Sequence, residues 1–212
     1  MQLEDYRPSE LPSPRRTQQE RRATTRRRLL DAAVDELVAS GYARFTTAEV
    51  GRRAQLSQGA LFKHFPTKAV LVGAAAEHLL TLLLDDYRHV LNETQSAEDP
   101  VIRAVEVLWE MFKTPRASAA LELCVAARTD PDLRVVLAPA LSGFRDKMQQ
   151  QARDLFPAIS AHPNFERYIQ MLYDAIQGAA LWQLVDPAIV GDEPLKYLVE
   201  LTRRLLSQPA GK

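Results

Sequence analysis

The sequence predicts an all-α protein of about nine helices, and three observations carry that expectation. Apolar residues recur near a period of 3.6 over long stretches. No stretch alternates apolar and polar residues convincingly enough for a strand. Three helix starts share one form: Asp99-Pro100, Thr114-Pro115 and Asp130-Pro131 each set a capping side chain before a proline. A proline at the first helical position loses nothing, because its missing N–H would have no intrahelical partner anyway. With 212 residues and 46% hydrophobic content the chain can bury a sizeable core.

Residues 1–17 hold Pro8, Pro12 and Pro14 without periodicity and are expected to form a disordered arm. A first helix follows from Gln18 to Ser40, with Leu29, Ala32, Ala33, Leu37 and Val38 as its apolar stripe and Gly41 where a left-handed cap would sit. Thr46 or Thr47 caps a short second helix over 48–54, with Val50 and Ala54 facing inward. Ser57 caps a third over 58–65, which Pro66 ends. Thr67 caps a long fourth helix from Lys68 to about Asn92, with Val72, Ala76, Leu79, Leu83, Tyr87 and Val90 on one face. The three proline starts open helices of roughly 100–113, 115–128 and 131–155, the last kinked or divided at Pro139. Two more are expected over about 163–185 and 193–207.

The formal net charge of zero hides a division along the chain. From Arg15 to Lys68 there are 12 Lys/Arg against 5 Asp/Glu, a surplus of +7, while residues 69–212 carry −5. A basic front on an acidic body suits a module that faces a polyanion, and equally a solvated helix face. The order of elements decides between them. Two short helices and a tight turn, flanked by a third helix on each side, make a helix-turn-helix, which lays one helix in the major groove of double-stranded DNA. Gly51 and Ala54 are small where the two short helices must cross, and Leu56, Leu61, Phe62 and Phe65 are expected to lock them against Leu30, Val34 and Leu37.

The third helix would then expose Gln58, Gly59, Ala60, Lys63 and His64. Gln58 could read an adenine edge, Lys63 a guanine or a phosphate, and Ala60 a thymine methyl, while Gly59 lets the backbone approach. Thr47, Ser57 and Lys68 sit at helix N-termini, which favour phosphate, with Arg44 close by. Arg21, Arg22, Arg26, Arg27 and Arg28 lie on the first helix, where about half are expected to face solvent only.

Residues 22 to about 80 resemble the N-terminal domain of the TetR family of transcriptional regulators. RRRLLDAAVDELVASGYARFTT is similar to the family's first helix, Gly-Tyr turn and threonine cap. LSQGALFKHFPTKAVL is similar to its recognition helix and the start of its long connecting helix. The chain departs at three places. Gln55 stands where the family usually has a turn glycine, so a residue with a Cβ would need positive φ. Phe62 replaces a common tyrosine whose hydroxyl reaches phosphate, and Ala60 replaces a frequent threonine.

The resemblance implies a homodimeric repressor on a pseudo-palindromic operator, with a DNA-binding domain over 18–67. It implies a helical dimerisation and effector domain over 68–212. Ile169, Leu172, Ile176, Ala179 and Ala180, with Leu198, Leu201 and Leu205, are the candidate dimer seam or else an internal core face. Trp109, Phe112, Cys124, Phe144, Met148, Met171 and Tyr173, beside Leu79 and Leu83, are the candidate pocket for a small, largely apolar ligand, with Arg128 as a possible anchor. The alternative is a helix-turn-helix protein whose body binds another protein.

Other classes find little support. His78 and His89 are eleven residues apart on one helix, about 16 Å by rise, too far to share a metal. No HExxH, CxxC, GxSxG or glycine-rich phosphate loop occurs. Cys124 lies in LELCVAA, inert in character. Neither an enzyme nor a metal or cofactor site is expected. The longest apolar run, residues 69–84, contains Glu77 and His78 and is short for a membrane span. A single cysteine and no visible leader suggest the cytoplasm.

Overall fold

The computed structural model describes residues 17–93, 99–186 and 193–207. These form ten helices, and no strand occurs among them. In chain order they are α1 (Gln18–Arg44), α2 (Thr47–Arg53), α3 (Gln58–His64), α4 (Lys68–Glu93) and α5 (Pro100–Phe112). Then follow α6 (Pro115–Ala126), α7 (Pro131–Leu155), α8 (Pro157–Ser160), α9 (Phe165–Gln183) and α10 (Glu193–Ser207). The arm expected before α1 lies outside the described residues except for Thr17. That residue forms a reciprocal capping box, its hydroxyl accepting from Glu20 N–H while the Glu20 carboxylate accepts from Thr17 N–H.

The expected caps are all used. Thr46, Ser57 and Thr67 accept from Glu49, Ala60 and Val70 N–H. Asp99, Thr114 and Asp130 accept from N–H groups in the first turns of α5, α6 and α7. Of the two alternatives at Pro139, division does not occur: α7 runs through it as one helix. One expectation needs correction, since the one-turn α8, which Pro157 starts, precedes a helix that begins two residues later than the sequence suggested.

Two apolar clusters organise the molecule. The first packs α1, α2 and α3 onto the front half of α4 and onto α6 and the start of α7, around Leu29, Leu37, Phe45, Leu61, Leu71 and Leu133. The second packs the back half of α4 with α5, α7, α9 and α10, around Trp109, Phe112, Phe144 and Ile176. α4 belongs to both clusters. The expected boundary between residues 67 and 68 is therefore a helix cap within continuous packing rather than a linker.

Polar contacts pin α1 to its neighbours. Glu36 lies on its apolar stripe, almost fully buried, and pairs with Arg53 of α2 at 2.7 Å. His78 of α4 meets Asp31 of α1 at 2.7 Å. At the C-terminal end of α1, Tyr42 N–H donates to Glu122 of α6 at 2.7 Å, and its hydroxyl donates to Asp130 at the head of α7 at 2.5 Å. Burial, then the Asp130 hydrogen bond, pushes the Tyr42 phenol up to about 12. The same bond, followed by the Leu133 N–H, holds the Asp130 carboxyl below its usual range.

Gly41 makes this latch possible. Its φ of 72° and ψ of 169° are not the left-handed cap expected but a region open essentially to glycine alone. A Cβ there would lie 2.6 Å from Glu122 Oε1. Gly41→Ala should therefore cost about 2–3 kcal/mol through backbone strain and displacement of the carboxylate. Urea unfolding would detect it as a lower midpoint at unchanged slope, and a midpoint within error of the parent would contradict the account.

Candidate nucleic-acid interface and effector pocket

The reading helix is made by burying one side of a two-turn segment. Leu61 and Phe65 are fully buried against α1 and α2, as are Val50 and Ala54 of α2. Gly51 lets the turn fold back, since a Cβ there would sit 3.1 Å from Leu56 O, and Leu56 N–H donates to Gly51 O at 2.9 Å. Gln55 takes φ of 53°, the strained positive value that the resemblance implied for it. The chain then bends by 70° between α3 and α4.

With Leu61 and Phe65 turned inward, the opposite side of α3 faces out. Ser57, Gln58, Gly59 and Lys63 are exposed, and Ala60 and His64 are half-buried. Phe62 departs from expectation: it is 40% exposed beside Lys63 instead of locking the helix pair. A residue at i+1 from the buried Leu61 is rotated about 100° around the helix, and on this two-turn segment, whose inward face is set by Leu61 and Phe65, Phe62 falls at its edge. Burial, then Arg22 and Arg26, lowers the pKa of His64, so its ring favours the neutral form and adds little to phosphate attraction.

Flanking cations separate into two kinds. Arg28 donates to Ala54 O at 2.8 Å, closing the end of α2, and Arg53 neutralises Glu36. These two hold the fold. Arg21 and Arg22 are exposed, Arg22 close enough to His64 of α3 to act on its charge, and Arg26 stacks its guanidinium 5.2 Å from the Phe65 ring centre. Arg44 is exposed, its Nε donating to Ser40 O at 3.1 Å. Lys68, an exposed residue, rests its ammonium over the Tyr42 and Phe45 rings at 5.2 and 5.7 Å, and Thr47 is half-buried. The exposed edge of α3 is thus bordered by positive charge, an arrangement that favours a polyanion.

In the body, an apolar cavity of about 60 Å³ lies among α4, α5, α7, α9 and α10, closed at one end by α8. Phe144, Met148 and Tyr173 line it as expected, together with Leu84, Tyr87 and Leu108. Burial pushes the Tyr87 and Tyr173 phenols well above their ordinary range, so both stay neutral. The other expected pocket residues are elsewhere. Trp109 and Phe112 are packed in the second cluster outside this wall. Cys124 borders a separate void of about 30 Å³, with Phe112 and Tyr173 on its wall, and burial raises its thiol pKa. Met171 points outward, 47% exposed. Leu79 belongs to the first cluster, Leu83 borders neighbouring voids, and Arg128 is on the surface. The sequence reading missed Gln151, Ile159 and Thr202, and on α5 it named Trp109 and Phe112 where Ala104, Leu108 and Met111 line the wall. The buried glutamine could have been noticed, because Gln151 shares a helical face with Phe144 and Met148.

The residues expected at the dimer seam are divided by the structure between the inside and the outside of the chain. Leu172, Ile176 and Ala180 are buried within this chain, Ile169 lines the cavity, and Ala179 packs against the second cluster. Leu198 packs there too, and the side chain of Leu205 lies outside the described residues. The apolar stripe that faces outward is rotated round α9: Met171, Gly178, Leu181, Trp182 and Val185, with Tyr197 and Leu201 of α10. Met171, Gly178, Leu181 and Trp182 fall at i, i+7, i+10 and i+11, one face of α9, and Val185 follows just past the helix end. A Cβ at Gly178 would meet nothing within 4 Å.

Among the described residues, no single helix is long and apolar enough to cross a membrane, and no group of three or more His, Cys, Asp or Glu could hold a metal ion.

Comparison with known proteins gives a consistent answer. The model of the bacterial regulatory proteins, tetR family, matches residues 29–75. The model of the tetracyclin repressor-like C-terminal domain matches residues 95–208. The HTH-type transcriptional regulator Rv2912c of Mycobacterium tuberculosis is 33% identical over 174 residues, 81% of this chain and 89% of that protein. The HTH-type transcriptional regulator CymR of Pseudomonas putida is 30% identical over 80% of this chain and 85% of its own length. A transcriptional regulator from Rhodococcus sp. Rha1 superposes with a TM-score of 0.60 at 24% identity, covering 85% of this chain and 95% of that one. The multidrug binding protein EbrR complexed with ethidium superposes with a TM-score of 0.61 at 20% identity, covering 85% of this chain and 98% of that one.

Relief of the turn strain gives a check on the local geometry. Gln55→Gly should stabilise the protein by about 0.5–1 kcal/mol, the left-handed penalty less the added freedom of the unfolded chain. A raised thermal midpoint would be seen in calorimetry; a lowered one would mean that Gln55 does not hold positive φ.

Proposed function

The chain belongs to the TetR family of DNA-binding transcriptional regulators, and from that premise we propose that it acts as a homodimeric repressor, released from a pseudo-palindromic operator by a small, largely apolar ligand. The observation that carries the DNA half is the outward edge of α3, with Gln58, Gly59, Ala60 and Lys63 on a segment of surplus positive charge. Gln58 reads base edges, Gly59 and Ala60 admit the helix into the groove, and Lys63 adds a base or phosphate contact. Ser57, Thr47, Arg44 and Lys68 clamp phosphates on either side, setting position rather than sequence. His64, neutral and half-buried, contributes by shape.

Dimerisation follows from the unpartnered apolar stripe of α9 and α10. Two copies pairing Met171, Leu181, Trp182 and Val185 around a two-fold axis would bury what each exposes alone. Such an axis sets two α3 helices about 34–36 Å apart, the distance between successive major grooves on one side of a duplex.

The effector reading rests on the cavity and on α4. A free volume of about 60 Å³ is smaller than the dry cavity of about 150 Å³ that takes up benzene in another protein. A ligand therefore fits only if the walls part, and the liganded body differs from the unliganded one. That difference is what a shift of population requires. α4 carries it forward. Leu84 and Tyr87 line the cavity near one end, and the other end begins at Lys68, three residues past α3. Its 26 residues span about 39 Å at 1.5 Å rise per residue, a rigid lever between the two sites. The solved complex of EbrR with ethidium is consistent with small-molecule binding in a body of this fold.

Two experiments test the reading. Trp182→Glu sets a charge on the dimer stripe without touching either cluster, so sedimentation should show a monomer at micromolar concentration with operator affinity reduced at least tenfold. A dimer of unchanged stability would remove α9 from the interface. Gln58→Ala should relax base preference at one symmetric pair of positions, a loss of about 1–3 kcal/mol of discrimination. An identical preferred site would take Gln58 out of direct readout.

A further inference from the structure

Resting on the effector reading above, we propose that the cavity ligand is an uncharged, largely apolar molecule with one hydrogen-bond acceptor, held by the side-chain amide of Gln151. Gln151 lies on α7 facing the cavity and is 4% exposed. Its Nε2 is buried without a hydrogen-bond partner among the described residues. A buried amide donor left unmatched is costly, and such groups are rare in folded proteins. Neighbouring polar groups do not relieve it. The Tyr87 hydroxyl donates to Ala104 O at 3.2 Å, and the Thr202 hydroxyl donates to Leu198 O at 2.7 Å. The Tyr173 ring is held edge-on against Phe112, 5.2 Å between centres.

The remaining wall sets the rest of the ligand's chemistry. No Asp, Glu, Lys, Arg or His lines the cavity among the described residues. An ion entering would lose its hydration without gaining a counter-charge, so anions and cations are both rejected. The flexible side chains of Met111 and Met148, both on the wall, can yield to an incoming ring or chain. An acceptor such as a carbonyl or ether oxygen would satisfy Nε2, while the apolar remainder displaces nothing that water or charge holds. Gln151 is thus a specificity-determining residue: it separates an acceptor-bearing ligand from a hydrocarbon of the same shape.

Four planar probes of nearly one shape separate the possibilities: acetophenone, with a carbonyl; α-methylstyrene, with none; benzoate, an anion; and benzamidinium, a cation. Each is titrated calorimetrically into the full chain. Acetophenone should bind about five- to tenfold more tightly than α-methylstyrene, and both ions at least tenfold more weakly than acetophenone. In Gln151→Met the acetophenone advantage should vanish while α-methylstyrene keeps its affinity within about twofold. The same variant should melt about 2–6 °C higher, because the unmatched amide is gone. Gln151→Leu repeats the comparison should the methionine variant fold poorly. An acetophenone preference that survives these substitutions, a lower melting point in both, or tightest binding by either ion overturns the assignment and leaves the effector cavity standing. No binding by any probe up to millimolar concentration rejects the cavity as an effector site, and this inference with it.

Discussion

The structure depends on α1 serving two partners at once. Its stripe of Leu29, Ala33 and Leu37 must cover α2 and α3 on one side and the front of α4 on the other. No helix pair as short as α2 and α3 can hold its own shape in water; seven residues are well below the length at which an isolated helix persists. The reading edge therefore has no existence apart from α1. The polar contacts of Glu36, Asp31 and Tyr42 add direction to that packing. A charge buried on an apolar stripe is tolerated only where its partner arrives, and Arg53 arrives only when α2 is correctly seated.

The same helix joins head to body. Gly41, Tyr42, Glu122 and Asp130 form a junction where α1 meets α6 and the start of α7. Together with α4, which crosses both clusters, this junction ties the head at a second place to the helices around the cavity, since α7, which lines the cavity, begins beside Asp130. The arrangement explains why a boundary drawn between head and body by sequence order falls within well-packed structure.

Much of the head was legible in the sequence, and less of the body. Caps at Thr46, Ser57, Thr67, Asp99, Thr114 and Asp130 are local chemistry, decided within four residues, and they are used as the sequence suggests. Gln55 could be placed at positive φ because it stands where the family it resembles usually has a turn glycine, and it takes φ of 53°. Phe62 was misjudged because an aromatic residue in an apolar run suggests burial, while the helix period turns it outward next to Leu61. In the body, α9 carries apolar residues nearly all round: Leu172, Ile176 and Ala180 on one side, Met171, Leu181 and Trp182 on another. Periodicity shows that the helix is buried somewhere but not which side meets its own chain. Trp109 and Cys124 lie off the wall of the cavity for a similar reason, since composition does not tell a lining residue from a filling one. Gln151 was passed over because a polar residue on a long charged helix is normally at the surface.

The central claim is that α3 offers its outer edge to duplex DNA from two copies of this chain held in two-fold register. Selection of bound sequences from a random duplex library, with the full chain at a stated salt concentration, tests it most directly. The account predicts an enriched pseudo-palindrome whose half-site centres lie one helical turn, or a multiple of it, apart. An enriched site without two-fold symmetry, or no enrichment beyond charge-driven binding that vanishes with added salt, would contradict it.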